Sequence, residues 1–189
     1  MISPGSKLLR IYLGDHLAAS KAGIQVAEHC LHQNQEGDLG NFLRLFLGEI
    51  RGERQTLKLI LRAIGGTPSL GKQAAAWLLE KLSHLKLNGH FLKYSDLSRL
   101  FELESLLAGV QAKLDMWRIL HMEREGLASF NLKALIEQGE SQIAQLQKYC
   151  LRAGSQAFAQ RNNEDPAPKT GSTKRGVSRT SSKRSIRQH

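Results

Sequence analysis

Apolar residues recur every three or four positions along most of the chain, which is the spacing of amphipathic α-helices. In the second such region, Leu39, Phe42, Leu43, Phe46 and Ile50 lie on one stripe. The spacing predicts helices over about 6–34, 39–64, 71–87 and 96–125, and a last helix from about residue 131. Sustained alternation of apolar and polar residues does not occur, so no strand is predicted.

Each predicted helix has one apolar face, which it can bury only against another helix. The expected fold is therefore all-α: an antiparallel four-helix bundle over residues 6–155, with a short extra helix between the second and third long helices. Residues 156–189 are rich in Ser, Thr, Lys and Arg and poor in large apolar side chains, which predicts a disordered basic tail.

Titratable side chains lie on the predicted apolar stripes. His16 falls on the same face as Leu13, and Glu53 falls within the stripe of the second helix, with Glu49 at its edge. A tight turn near Gly37 makes the first two helices antiparallel neighbours, which brings His16 and Glu53 within about a turn and a half of the same level. A polar pair inside the bundle is one interpretation of this pattern, because an unpaired buried charge is costly.

Three stretches, LGDHLAASKAG, GEIRGERQTL and LGKQAAAWLLEKLSHLKLNGHFLKYSDLSRLFELESL, resemble uncharacterised bacterial helical-bundle proteins. Four long helices with inward acids and a histidine also resemble the ferritin-like superfamily over residues 6–153. This resemblance implies a long crossover at about 65–94 and a stress-related role. With such a crossover, Cys30 and Cys150 would lie towards the same end of the bundle, whereas an up-down-up-down bundle would separate them.

The same resemblance raises the question of a metal site. Di-iron bundles use a Glu from each of two helices and a Glu-x-x-His motif from each of two others, and this chain contains no Glu-x-x-His. The remaining candidate ligands are His16, Glu53 and Glu104, whose donor types would suit a degenerate or single-metal site for iron or another divalent metal. No other cofactor is expected.

Charge is concentrated at the end of the chain. The net charge is +10, of which residues 161–189 contribute +6, from eight basic and two acidic residues. Flexible cations of this kind bind nucleic acid or another polyanion through phosphates, independently of sequence, although a solubilising tail without a fixed partner is the alternative. The candidate contact residues are Lys174, Arg175, Arg179, Lys183, Arg184 and Arg187.

Further patterns bear on where the protein is located and on whether it binds a nucleotide. Arg10 and Asp15 interrupt the first apolar run, so no secretory signal is predicted, and no apolar run reaches the ~20 residues of a transmembrane segment. With only two cysteines, a cytoplasmic location is expected. The loop GGTPSLGK has Gln73 where a Walker loop requires Ser or Thr, so a nucleotide loop is rejected.

These observations favour a non-catalytic bundle with a structural or interaction role, for which homo-oligomerisation stays open. Two alternatives are a metal-binding protein with an intrabundle site and a nucleic-acid-associated protein that acts through its tail.

Overall fold

Four helices account for most of the described residues. The computed structural model describes residues 4–67, 94–123 and 127–159, and these ranges contain no strand. The helices are α1 (Pro4–Gln33), α2 (Gly37–Ala63), α3 (Asp96–Glu123) and α4 (Leu132–Ala159). The all-α prediction is confirmed for this part of the chain. The predicted short helix at 71–87 lies outside the described residues.

Local hydrogen bonds and glycines set the helix ends. Gly37 has φ +69°, a left-handed conformation that glycine adopts without steric cost, and it marks the turn from α1 into α2. Gly65, with φ +75°, ends α2 and donates its N–H to the Arg62 carbonyl (2.9 Å). The Ser95 hydroxyl accepts the Ser98 N–H and caps α3, and the Asn131 amide oxygen caps α4 in the same way.

Two predicted boundaries differ from the structure. The second helix begins at Gly37, two residues before its predicted start, and the N-cap Glu36 makes no side-chain capping bond. The last helix continues to Ala159, beyond the predicted end of the bundle at 155. Residues 155–159 contain neither Pro nor Gly, so nothing in their sequence breaks the helix there.

The four helices pack together, and each contacts two others. α1 packs against α2 and α3, and α4 packs extensively against α3 and less extensively against α2. Two contacts show which parts of the helices lie side by side. Arg10 of α1 donates to the Gly65 carbonyl after α2 (3.0 Å), and His29 of α1 bonds to Glu102 near the start of α3. No helix of the described ranges is long and apolar enough to cross a membrane.

The apolar core consists of two clusters along the helix axes. One cluster contains Leu43, Leu103 and Leu146 with their neighbours, and the other contains Leu13, Ile60 and Trp117 with theirs. In α2, α3 and α4, a buried or half-buried polar residue lies between the positions that belong to the two clusters: Glu53, Lys113 and Gln142. Polar side chains thus interrupt the core about halfway along the helices.

Candidate functional site: a buried polar layer

Four polar side chains meet between the two apolar clusters, and we call Glu49, Glu53, Lys113 and Gln142 the polar layer. The Lys113 ammonium donates to the Glu53 carboxylate and to Oε1 of Gln142. The Gln142 amide in turn donates to Glu53 (3.0 Å) and Glu49 (2.7 Å). Glu53 is 4% exposed and Gln142 2% exposed, so these bonds replace the water that both side chains lose on folding.

Burial dominates the electrostatics of the polar layer. It raises the pKa of the Glu53 carboxyl, and the Lys113 charge and the hydrogen bonds offset only part of that shift. Burial also lowers the pKa of the Lys113 ammonium, against the attraction of Glu53 and Glu49. Each group is thus held in a medium that disfavours its charge, and the opposite charge of its partner offsets part of that cost.

His16 does not take part in the polar layer. Its ring packs edge-to-face against Tyr12, with 4.6 Å between centroids, and burial lowers the pKa of its imidazole. The predicted pairing of His16 with Glu53 is wrong, because the Glu53 hydrogen bonds go to Lys113 and Gln142. A lysine from α3 reaches the same level and brings a full positive charge.

Glu104, the third candidate metal ligand, is exposed on α3. The buried stripe of that helix runs through Leu100, Leu103 and Leu106, so the next position after Leu103 points outward. Within residues 4–67, 94–123 and 127–159, no group of three or more His, Cys, Asp or Glu side chains is arranged to hold a metal ion. His16, Glu53 and Glu104 therefore do not converge.

Two of the four members of the polar layer, Glu53 and Glu49, were predicted on the stripe of α2, and Lys113 was missed. Gln142 is buried on α4 together with Gly139. A pattern could have revealed Lys113, which follows the buried Val110 by three positions and precedes the buried Trp117 by four. A lysine at that spacing lies on the apolar face of its helix.

A second polar network joins the end of α1 to the start of α3. His29 bonds to Glu102, which also accepts the Tyr94 hydroxyl (2.9 Å), and Asn34 donates to the same hydroxyl (2.8 Å). Cys30 lies behind this network with no exposed surface, and burial together with Glu102 raises the pKa of its thiol to about 12. Such a thiol is not a nucleophile at neutral pH.

The remaining candidates are two surface histidines, two thiols and the cations of the basic tail. His29 and His32 are exposed near the end of α1. Cys30 and Cys150 are both unbridged thiols. The basic tail, with Lys174, Arg175 and the other predicted cations, lies outside the described residues.

Comparison with known proteins does not supply a function. No family model matches the chain, and neither a curated protein nor a solved structure is significantly similar to it.

Proposed function

We propose that this protein is a non-catalytic helical bundle of ferritin-like arrangement, with a structural or interaction role. The observation that carries the proposal is the pairing of Glu53, the most buried carboxylate of the polar layer, with other side chains of the same chain. Its charge is met by the Lys113 ammonium and by the Gln142 amide, so the position where a bundle metalloprotein would place a cation is taken by a side chain of the same chain.

Pairwise contacts support the ferritin-like arrangement. The contacts between α1 and α2 are those expected of antiparallel helices. Arg10, early in α1, contacts Gly65 after the end of α2, and Glu28, late in α1, contacts Arg51, earlier in α2. The same reversal relates α1 to α3, because His29 meets Glu102 while Leu13 and Leu17 share a cluster with Trp117. If α2 and α3 both oppose α1, they run in the same direction, as a crossover bundle requires.

The two cysteines give independent support. Cys30 belongs to the same apolar cluster as residues of α4, and Cys150 packs against that cluster. A crossover bundle requires the two to lie towards one end, whereas an up-down-up-down bundle would separate them. The stress-related role that the resemblance implies depends on this arrangement alone, since fold does not fix function.

A metal-binding role is the weaker proposal. Of its three expected ligands, Glu53 is already bonded to an ammonium, Glu104 faces outward and His16 packs against Tyr12. A divalent cation at Glu53 would have to lie close to the Lys113 ammonium, and the repulsion between the two charges in a buried site disfavours this.

Elemental analysis of untagged protein, equilibrated separately with Fe²⁺, Mn²⁺ and Zn²⁺ and then desalted, tests the proposal. We expect far less than one metal ion per chain. The matched variant is Lys113→Gln, which removes the competing charge and keeps a hydrogen-bonding side chain. Near-stoichiometric metal in the parent protein, lost in Glu53→Gln, would instead make the protein a metalloprotein.

A further inference from the structure

The charges of α2 are sorted between its two faces. Beyond its first turn, its acids are Glu49 and Glu53, and both turn towards Gln142 in the polar layer. Arg44, Arg51 and Arg62 are exposed and Lys58 is half-exposed. Arg44, Arg51 and Lys58 follow one another at seven-residue intervals, about 10.5 Å apart on one line of the helix. From residue 41 onward, the outward side of α2 therefore carries cations and no acid.

The neighbouring edge of α1 adds to this positive charge. Two contacts identify that edge: Arg10 donates to the Gly65 carbonyl (3.0 Å), and Glu28 pairs with Arg51 (2.7 Å). Lys21 is exposed, about three turns after Arg10 and two turns before Glu28, and so lies on the same line. Asp15 lies about 140° around the helix from Arg10. Glu28 is thus the acid that faces these cations along the described part of α1.

We call this surface the cationic face, and it consists of Arg10, Lys21, Arg44, Arg51, Lys58 and Arg62. The surface of α3 and α4 differs, because its exposed charges alternate in sign. Arg118 pairs with both Asp115 and Glu140, and Lys133 pairs with Glu137. The excess of positive charge on the described helices is therefore localised on α1 and α2.

The shape and chemistry of the cationic face fit a phosphate backbone. Arg44 and Arg62 are about 27 Å apart along the helix axis, which is long enough to meet several phosphates. Gly48 and Gly52 lie in the same stretch of α2, and a Cβ added at either would meet no atom within 4 Å, so the surface there is low and open.

Aromatic side chains for base stacking do not lie on the cationic face. On α2, Phe42 and Phe46 stack on each other at the core, and Tyr12 of α1 packs on His16. Recognition of single-stranded bases uses such rings, whereas a duplex is bound through its phosphates. We propose that the cationic face binds double-stranded nucleic acid through the phosphate backbone, without sequence preference.

One contact relates the last turns of α4 to the cationic face. The Tyr149 hydroxyl of α4 donates to the Asp38 carbonyl in the first turn of α2 (3.1 Å), so the last turns of α4 lie near the Arg44 end of the cationic face. The chain continues after Ala159 into the segment with six net positive charges.

Binding of a short mixed-sequence DNA duplex, measured by fluorescence anisotropy on the full chain between about 50 and 200 mM salt, tests the inference. The test variant is Lys21→Gln/Lys58→Gln/Arg62→Gln. We expect its affinity near physiological salt to fall about 10- to 100-fold, and its salt slope to fall by about 0.9 for each cation removed. A conservative variant, Lys21→Arg/Lys58→Arg/Arg62→Lys, should bind like the parent protein.

Two matched variants lose the same three charges elsewhere. Lys133→Gln/Lys148→Gln/Arg152→Gln changes α4, and Lys174→Gln/Arg175→Gln/Arg179→Gln changes the tail. We expect both to bind more tightly than the test variant. Equal losses in all three, unchanged binding by the test variant, or binding to phosphatidylserine vesicles but not to the duplex would each overturn the inference. The metal result does not bear on it, because the polar layer lies on the opposite side of α2.

Discussion

The Glu53–Lys113 pair illustrates how a buried charge depends on one partner. Lys113 keeps 17% of its side chain exposed and can reach water if Glu53 is removed, whereas Glu53 keeps 3% and cannot. The consequences of removing either residue should therefore be unequal. Leaving the Lys113 ammonium unpaired costs little stability because it can contact water. Leaving the Glu53 carboxylate unpaired in the core is strongly destabilising.

We predict that Lys113→Met lowers the free energy of unfolding by about 3–5 kcal/mol at neutral pH, and that Glu53→Gln costs about 1–2 kcal/mol. The double variant should be more stable than Lys113→Met alone, because the lone carboxylate is gone. Urea unfolding of the four proteins measures this cycle. Additive effects would mean that the two residues do not stabilise each other.

Burial of His16 makes the folded protein less stable as the pH falls. Burial lowers the pKa of its imidazole below the ordinary value of 6.5, and the charge of Asp15 opposes this only in part. Between the folded and the unfolded pKa, the unfolded chain binds more protons at this position than the folded chain. Stability contributed by His16 is therefore present above pH 6.5 and is lost as the pH falls below it.

Replacing His16 by Gln should remove that contribution to the pH dependence. We expect the parent protein to lose more thermal stability than His16→Gln when the pH is lowered from about 7.5 to about 5.5. Melting temperatures of both proteins at the two pH values measure the difference, and the other histidines cancel in the comparison. A larger loss in the variant would show that the folded protein stabilises the protonated ring.

Among the elements, α2 combines the buried acid, the cationic face and three interior glycines that lie in different surroundings. Gly52 is open to solvent, and a Cβ there would meet nothing within 4 Å. At Gly40, a Cβ would lie 2.5 Å from the Gln35 carbonyl oxygen and 2.6 Å from that of Asn34. The backbone after α1 therefore approaches α2 so closely that only glycine fits at position 40.

The same substitution should have opposite effects at these two positions. Gly52→Ala should stabilise the protein by about 0.5–1 kcal/mol, because alanine loses less backbone entropy in a helix. Gly40→Ala should destabilise it by about 1–3 kcal/mol, because the turn must move to admit the methyl group. Thermal unfolding of the two variants decides the matter, and stabilisation by Gly40→Ala would contradict the close approach of the two segments.

The helices themselves could be predicted because apolar spacing is a local property of the sequence, and the described boundaries lie within a few residues of the expected ones. The partner of Glu53 could not be predicted in the same way. Spacing identifies the buried face of a helix, but Glu53 and Lys113 are sixty positions apart and meet only because of the way the helices are arranged. The tight turn near Gly37 indicated His16 of the adjacent α1 as one possible partner, and nothing local in the sequence indicated α3.

At the scale of the whole molecule, the proposed crossover predicts the distance between the end of α2 and the start of α3. With this topology the end of α2 and the start of α3 lie at opposite ends of helices that are about 40 Å long. If α2 and α3 were instead joined as an antiparallel hairpin, the same two points would be neighbours. Ala63 and Leu97 are exposed and mark the two points.

We expect spin labels at Ala63→Cys and Leu97→Cys, in a Cys30→Ala/Cys150→Ala background, to lie about 35–45 Å apart by pulsed electron resonance. A control pair, Ile11→Cys with Ala63→Cys, should lie within about 20 Å, because adjacent packed helices are 8–10 Å apart and Arg10 contacts the Gly65 carbonyl. A short distance in both pairs would rule out the crossover, and with it the structural basis of the ferritin-like proposal. A long distance in the first pair alone is the result that the proposed crossover predicts.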